Sequence, residues 1–294
     1  MEGLRRGGPV GYGSAARTVR SRLLRQCAEL AVPPRLEVVD VRLEGHVATV
    51  ALNQPEKRNP LSAAMIRDLL AALDWTREEP EVRVVVLTGA GEKAFCSGAD
   101  LGSSFEAGEG EIERHHGRRG IADLFSRMRE LGKPIIGRIN GHALAGGFGL
   151  ACACDLLVAS DAATFGTPEI NVGVWPMMIS AVLTRNLPRK MVLEMLLLGD
   201  RWTAEQMRER GLVTRVVPAA DLDRTVGELA EHLAKKSPAV MRLGRDSFYA
   251  MEDMDFAAAL EYLRGQLTLV TLTEDAREGI RAFFEQREPE FKGR

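Results

Sequence analysis

The chain has 294 residues, 45% hydrophobic and 27% charged, which suits a globular enzyme large enough to bury a sizeable core. A formal net charge of -2 leaves no electrostatic footprint for nucleic acid or an anionic membrane, and no apolar run approaches the roughly 20 residues that span a bilayer. Cys27, Cys96, Cys152 and Cys154 have neither metal-ligand spacing nor disulfide density, so they read as packed thiols of a reduced, cytoplasmic protein.

Residues 1–34 differ from the rest. Arg5, Arg6, Arg17, Arg20, Arg22 and Arg25 face only Glu2 and Glu29 as acids, and Val32-Pro33-Pro34 marks the boundary. Such a start resembles an organellar transit peptide; a poorly ordered extension, or a start assigned too far upstream, is the favoured expectation. Leu36–Asn53 alternates as a hairpin about Glu44-Gly45. Gln54–Pro60 is a polar loop in which Lys57 and Arg58 stand side by side, on their own a solvated turn as readily as a binding element. Ser62 is placed to cap a helix bearing Met65, Leu69, Leu70 and Leu73 on one face and ending near Glu79-Pro80.

Val82–Gly91 reads as a core strand, followed by the glycine turn Ala94-Phe95-Cys96-Ser97-Gly98-Ala99-Asp100-Leu101. Gly102–Arg119 is polar and glycine-containing; His115 and His116 would point apart on a helix, which makes a poor metal site. Ile121–Leu131 is expected to be a helix and Pro134–Ile139 a buried strand. Asn140-Gly141 then turns the chain into Ala145-Gly146-Gly147 and an apolar helix of small residues, Phe148–Cys154. Strand, glycine turn and small-residue helix expose backbone N–H groups where negative charge is stabilised. Tight helix–sheet packing with no ligand explains that stretch equally well. Two such turns, at Gly98 and Gly146, could each offer one N–H to a single oxygen, as an oxyanion hole does.

Asp155–Ser160 is a further strand, and Thr164–Gly173 a loop in which Pro168 holds Glu169 reproducibly. His142 has no predicted partner, and Asp155 reads as a cap. Helices are expected at Met178–Asn186, Pro188–Leu198, Thr203–Arg210, Leu222–Lys236, Ala239–Met251, Phe256–Leu269 and Glu274–Arg287, with a strand at Leu212–Pro218. The pattern is α/β with an added helical region, a core over 35–220 and helices over 221–294.

Three motifs in order, AFCSGADL, INGHALAGGFGLACACDLLVAS and Phe165-Gly166-Thr167-Pro168-Glu169, resemble the crotonase (enoyl-CoA hydratase/isomerase) superfamily. The similarity runs from about Leu36 to the C-terminus. It implies a spiral of ββα turns with a C-terminal helical trimerisation region, and a homotrimer or hexamer. The implied substrate is an acyl-CoA thioester, with no cofactor beyond the coenzyme A that it carries. It implies an oxyanion hole from the N–H groups of Ala99 and Gly146, with Asp100, Leu101 and Gly149 beside the substrate. Lys57 and Arg58 would lie along coenzyme A, whose phosphates need cations, and Lys292 near one of those phosphates. Gly102–Arg119 would close over the acyl pocket, and Val174-Trp175-Pro176-Met177-Met178 would narrow it near Glu169.

Hydratases of this family use two glutamates. The second is present as Glu169; the first position is Gly149. A double-bond shift needs only one base, so the resemblance most simply implies an isomerase with Glu169 as sole acid/base. A hydratase or lyase with a substitute acid, and a non-catalytic acyl-CoA-binding homologue, remain as alternatives.

Overall fold

The hairpin forms where its alternation places it: β1 (Val39–Glu44) pairs antiparallel with β2 (Val47–Leu52), from Val39 opposite Leu52 to Glu44 opposite Val47. In this computed structural model the described residues are 32–99 and 111–294, with only the backbone described over 111–118. Most of the predicted extension, together with Asp100, Leu101 and the first part of the Gly102–Arg119 segment, lies outside them.

Beyond the hairpin, β3 (Val84–Gly89), β5 (Ile135–Ile139), β7 (Leu156–Ser160) and β10 (Arg215–Val217) add in parallel. Among the described residues the large sheet has six strands, in the order β1-β2-β3-β5-β7-β10. Helix α1 (Ala63–Glu78) starts at Ser62, whose side chain accepts a hydrogen bond from the Met65 N–H. It buries Met65, Leu69 and Leu73 in a core shared with Val85, Leu87 and Ile135. Against the other face lie Leu222, Val226, Ala230 and Ala234, packed on Val84, Val86, Ile136 and Val158. Being covered on both sides explains why β3 and β5 read as unbroken apolar runs rather than alternating ones.

A second sheet was not foreseen. Its strands β4 (Ala94–Cys96), β6 (His142–Leu144), β8 (Thr164–Gly166) and β9 (Arg201–Thr203) have three residues each. They lie in the order β4-β6-β8-β9, the first three parallel and β9 antiparallel. Three residues are too few to show a period. The expected loop Thr164–Gly173 is in fact β8 followed by a 3-10 turn, Pro168–Val172. Large-sheet and small-sheet strands thus alternate along the chain, and each pair leads into a helix. These helices are α2 (Glu111–Arg129) after β3-β4, α3 (Gly146–Cys152) after β5-β6 and α4 (Met177–Asn186) after β7-β8. This is the expected spiral of ββα turns. Helix α2 begins ten residues before the sequence reading put it, because its first turns lack an apolar face.

Two side-chain amides join the sheets. Asn59, 0% exposed, donates from Nδ2 to the carbonyls of Ala90, Ala94 and Phe95 and accepts from the Gln54 N–H. Asn140 donates to the carbonyls of Gly91 and Ala94 and accepts from the Gly89 N–H.

The remaining helices follow the reading to within a few residues: α5 (Arg189–Leu198), α6 (Ala204–Glu209), α7 (Leu222–Ala234), α8 (Pro238–Met251), α9 (Phe256–Leu272) and α10 (Glu274–Glu285). Asp155 does more than the capping expected of it. It accepts from the Ile135 N–H at 2.7 Å, from Arg245 Nε at 2.9 Å and from the Tyr249 hydroxyl at 2.6 Å. Arg245 also donates to the carbonyls of Met128 and Arg129, so one buried network fastens α8 to the core. Helix α9 has no fully buried residue; Phe256, Leu260 and Leu267 are all exposed. Among the described residues no helix is long and apolar enough to cross a membrane, and no group of three or more His, Cys, Asp or Glu side chains is arranged to hold a metal.

Candidate active site

Three adjacent parallel strands of the small sheet end side by side. Cys96 is opposite Ala143, and Leu144 opposite Gly166. Ala99 follows β4 by three residues, Gly146 follows β6 by two, and Glu169 follows β8 by three. The carboxyl ends of parallel strands are where such sheets place ligands.

Ala99 and Gly146 are close neighbours. A Cβ built on Gly146 would stand 3.7 Å from the Ala99 nitrogen, and one built on Gly98 3.1 Å from the Gly146 nitrogen. Neither N–H has a backbone acceptor among the described residues, because the turn bonds use their neighbours instead. Leu61 N–H donates to the Gly98 carbonyl at 2.7 Å, Ala145 N–H to Gly166 at 2.8 Å and Phe148 N–H to Ala145 at 2.9 Å. Gly98 has φ +93°, and a side chain there would start 2.5 Å from the Ala145 Cβ. Ala145 itself has φ 53° and ψ -128°, a conformation that typically costs a non-glycine residue of order 1–3 kcal/mol. Strain is therefore held directly before one of the candidate donors. Two neighbouring N–H groups without a backbone acceptor are what binding a developing oxyanion requires.

The loop bearing Lys57 and Arg58 is tied to this turn. Ser97 N–H donates to the Arg58 carbonyl at 3.0 Å, and Arg58 and Asn59 both take left-handed conformations, φ 64° and 54°. Both cationic side chains are exposed, available to a phosphate. The buried Asn59 that fixes the loop was missed by the sequence reading. Its only signal was an asparagine, a residue that tolerates left-handed backbone, placed directly before proline.

Glu169 is the second residue of the 3-10 turn, and Val174 N–H donates to its carbonyl at 3.0 Å. Its Oε2 is buried with no hydrogen-bond partner among the described residues. Burial pushes its carboxyl up to about 7, opposed only by a hydrogen bond from its own backbone N–H. A carboxyl in that range exchanges protons near neutral pH. Of the bulky residues after it, Trp175 packs on the core and Pro176 is buried, whereas Met177 is 71% exposed.

Gly149 lies one turn after Gly146 on α3. A Cβ there would meet Ile179 Cγ2 at 2.5 Å, Ile179 Cβ at 2.9 Å and Phe125 Cζ at 2.9 Å. The volume that a side chain at 149 would need is already occupied.

Other candidates are quiet. His142 has a partner after all, with Nδ1 2.8 Å from Thr164 Oγ1, and burial with Arg201 and Arg58 nearby lowers its pKa. Burial pushes the Cys96 thiol up to about 12 and those of Cys152 and Cys154 up as well, so none is a ready nucleophile. Lys292 is anchored by its backbone N–H to Asp275 Oδ1 and lines a groove with Arg277, Arg281 and Arg287. No residue of that groove is shared with the Ala99–Gly146–Glu169 cluster. A cavity of about 560 Å³ opens near the far end of α3, lined by Phe125, Cys152, Val182, Arg185, Met241 and Tyr249 among others, and includes none of those three residues.

Known proteins carry the same architecture. The crystal structure of enoyl-CoA hydratase from Bacillus anthracis superposes with a TM-score of 0.83 at 34% identity, covering 88% of this chain and 100% of that one. A Thermus thermophilus protein described provisionally as an enoyl-CoA hydratase is 40% identical over 249 residues, 84% of this chain and 98% of its own. Carnitinyl-CoA dehydratase of Proteus mirabilis is 35% identical over 256 residues, 85% of this chain and 96% of its own. Residues 42–294 match the family model described as enoyl-CoA hydratase/isomerase. With the spiral of ββα turns and near-complete coverage of these relatives, that match makes the chain a member of the enoyl-CoA hydratase/isomerase family.

Proposed function

We propose that the protein is an enoyl-CoA double-bond isomerase in which Glu169 is the sole acid/base. The thioester oxygen accepts from the Ala99 and Gly146 N–H groups. The Glu169 carboxylate takes a proton from C2 of a 3-enoyl thioester, and the electron pair moves into a dienolate whose charge rests on that oxygen. The protonated Glu169 then delivers its proton to C4, giving the 2-enoyl product with no water consumed. Losing one oxyanion donor of this kind typically costs about 2.7–4 kcal/mol of transition-state stabilisation. Coenzyme A would run past Lys57 and Arg58. No cofactor beyond the substrate's own coenzyme A is needed.

The observation that carries this reading is the filled space at Gly149, which leaves Glu169, with its buried and unpartnered Oε2, as the carboxylate that the family motifs supply. Hydration is the second reading, supported by the hydratase and dehydratase names of the relatives. The test is turnover of 3-enoyl-CoA and 2-enoyl-CoA in ¹⁸O-labelled water. Conversion of the 3-enoyl substrate with little ¹⁸O in the product is expected, whereas rapid labelled hydration of a short 2-enoyl-CoA would overturn the isomerase reading.

The exposed apolar side of α9, with Leu260 and Leu267, and Phe283 and Phe284 on α10, each 78% exposed, supports a homo-oligomer, a trimer or hexamer. Light scattering that returned a monomer at micromolar concentration would refute it. Three free, buried thiols fit a reducing, cytoplasmic setting.

A further inference from the structure

Gly146 and Gly149 are three residues apart on α3 and so share one face of it. The first turn of that face presents a candidate oxyanion donor, and the next turn meets two apolar side chains from other helices. Ile179 comes from α4, is 4% exposed and belongs to the main core. Phe125 comes from α2 and is partly buried, with its ring tip 2.9 Å from the point where a Gly149 side chain would begin. A real Cβ contact is essentially never that short. Gly149 is therefore one third of a packed unit, and putting a carboxylate there requires the other two members to change.

Resting on the isomerase reading above, we propose that Phe125 and Ile179 are specificity-determining residues. Together they form an apolar wall one helical turn from the candidate oxyanion donor Gly146, and the wall keeps both a second carboxylate and water from the carbons that Glu169 serves. A proton lost to Glu169 then has one return route, back from Glu169, and the product is an isomer. Neither side chain takes part in proton transfer. Their effect is on which product forms, so the readout is the product ratio rather than the rate alone.

The experiment compares Gly149→Glu with Gly149→Glu combined with Ile179→Gly and Phe125→Leu, each assayed on both enoyl-CoA substrates in ¹⁸O-labelled water. The single variant is expected to lose thermal stability without gaining hydration. The combined variant is expected to regain much of that stability and to raise the ratio of hydrated to isomerised product at least tenfold over wild type. Should the combined variant fail to fold, Phe125→Leu with Ile179→Ala at an unchanged Gly149 decides the matter, and its ¹⁸O-labelled share should rise above wild type. The proposal is overturned if Gly149→Glu alone folds with wild-type stability, or if a folded wall variant keeps the wild-type product ratio. Rapid hydration by the wild-type protein would instead remove the isomerase reading on which the wall depends, so the two failures are distinguishable.

Discussion

Asp155 and Glu169 are carboxylates at the two ends of one strand pair of the spiral, before β7 and after β8, and they are treated in opposite ways. Asp155, at the entrance to β7 of the large sheet, accepts from a backbone N–H, a guanidinium and a phenol. Glu169, past the end of β8 of the small sheet, has a buried oxygen with no partner among the described residues. In the first, desolvation is offset by donors and the charge fastens one part of the chain to another. In the second it is left standing, and the group is held ready to exchange a proton. The same contrast runs through the two sheets. The central strands of the large one are covered by apolar side chains on both faces, whereas the small one ends in a strained alanine, two N–H groups without a backbone acceptor among the described residues, and an orphan acid.

The contrast is broken most sharply by Glu169→Gln. Turnover of 3-enoyl-CoA should fall by about 10²–10⁴-fold, the usual contribution of general acid–base catalysis, while the melting temperature holds or rises because an unpartnered carboxyl has been neutralised. Initial rates and calorimetry on one preparation read both, and a fall in melting temperature matching the loss of activity would erase the distinction. Asp155→Ala should do the reverse. It leaves the Arg245 guanidinium, whose side chain is 6% exposed, without its carboxylate. Breaking a buried pair in this way typically costs about 3–5 kcal/mol, measurable by denaturant unfolding.

Smaller effects sharpen the picture. Asn59→Ala removes the donor shared by three carbonyls and should cost about 1–3 kcal/mol. It should also raise KM, because the loop of Lys57 and Arg58 loses its fixing point. The pH response is the mildest and the most specific. With Glu169 raised from 4.5 to about 7, kcat/KM should fall about tenfold per pH unit below 7, as the base becomes protonated. Stability moves the other way. The folded state holds a proton there that the unfolded state has released, so stability declines as pH rises from about 4.5 to 7. Glu169→Gln should remove that component of the slope.

These two regions were also unequally legible in the sequence. The large sheet could be read because Val82–Gly91 and Pro134–Ile139 are long apolar runs bounded by turn residues. The C-terminal helices could be read because apolar residues such as Leu260, Leu263 and Leu267 recur at helical spacing. The small sheet could not, since a three-residue strand is defined by its neighbours rather than by its own composition. Glu169 and Gly149 were visible through the family motifs. Phe125, Ile179, Asn59 and the Asp155–Arg245–Tyr249 network were not, because each acts through residues that are distant in sequence. The candidate residues were legible through those motifs, but the packing around Gly149 was not.

Asn140 has one more consequence, for how the molecule ages. Asparagine before glycine is chemically fragile, since the glycine nitrogen can attack the side-chain carbonyl and expel ammonia. In the fold that amide is clamped at both ends, its nitrogen by Gly91 and Ala94 and its oxygen by Gly89, so attack requires the two sheets to part. Once unfolded, the site loses that protection. Deamidation would set a carboxylate against the same two carbonyls, so a chain that lingers unfolded loses the means to return. Irreversible heat inactivation should follow the appearance of aspartate at 140 in peptide maps, with native protein at the same pH keeping its asparagine.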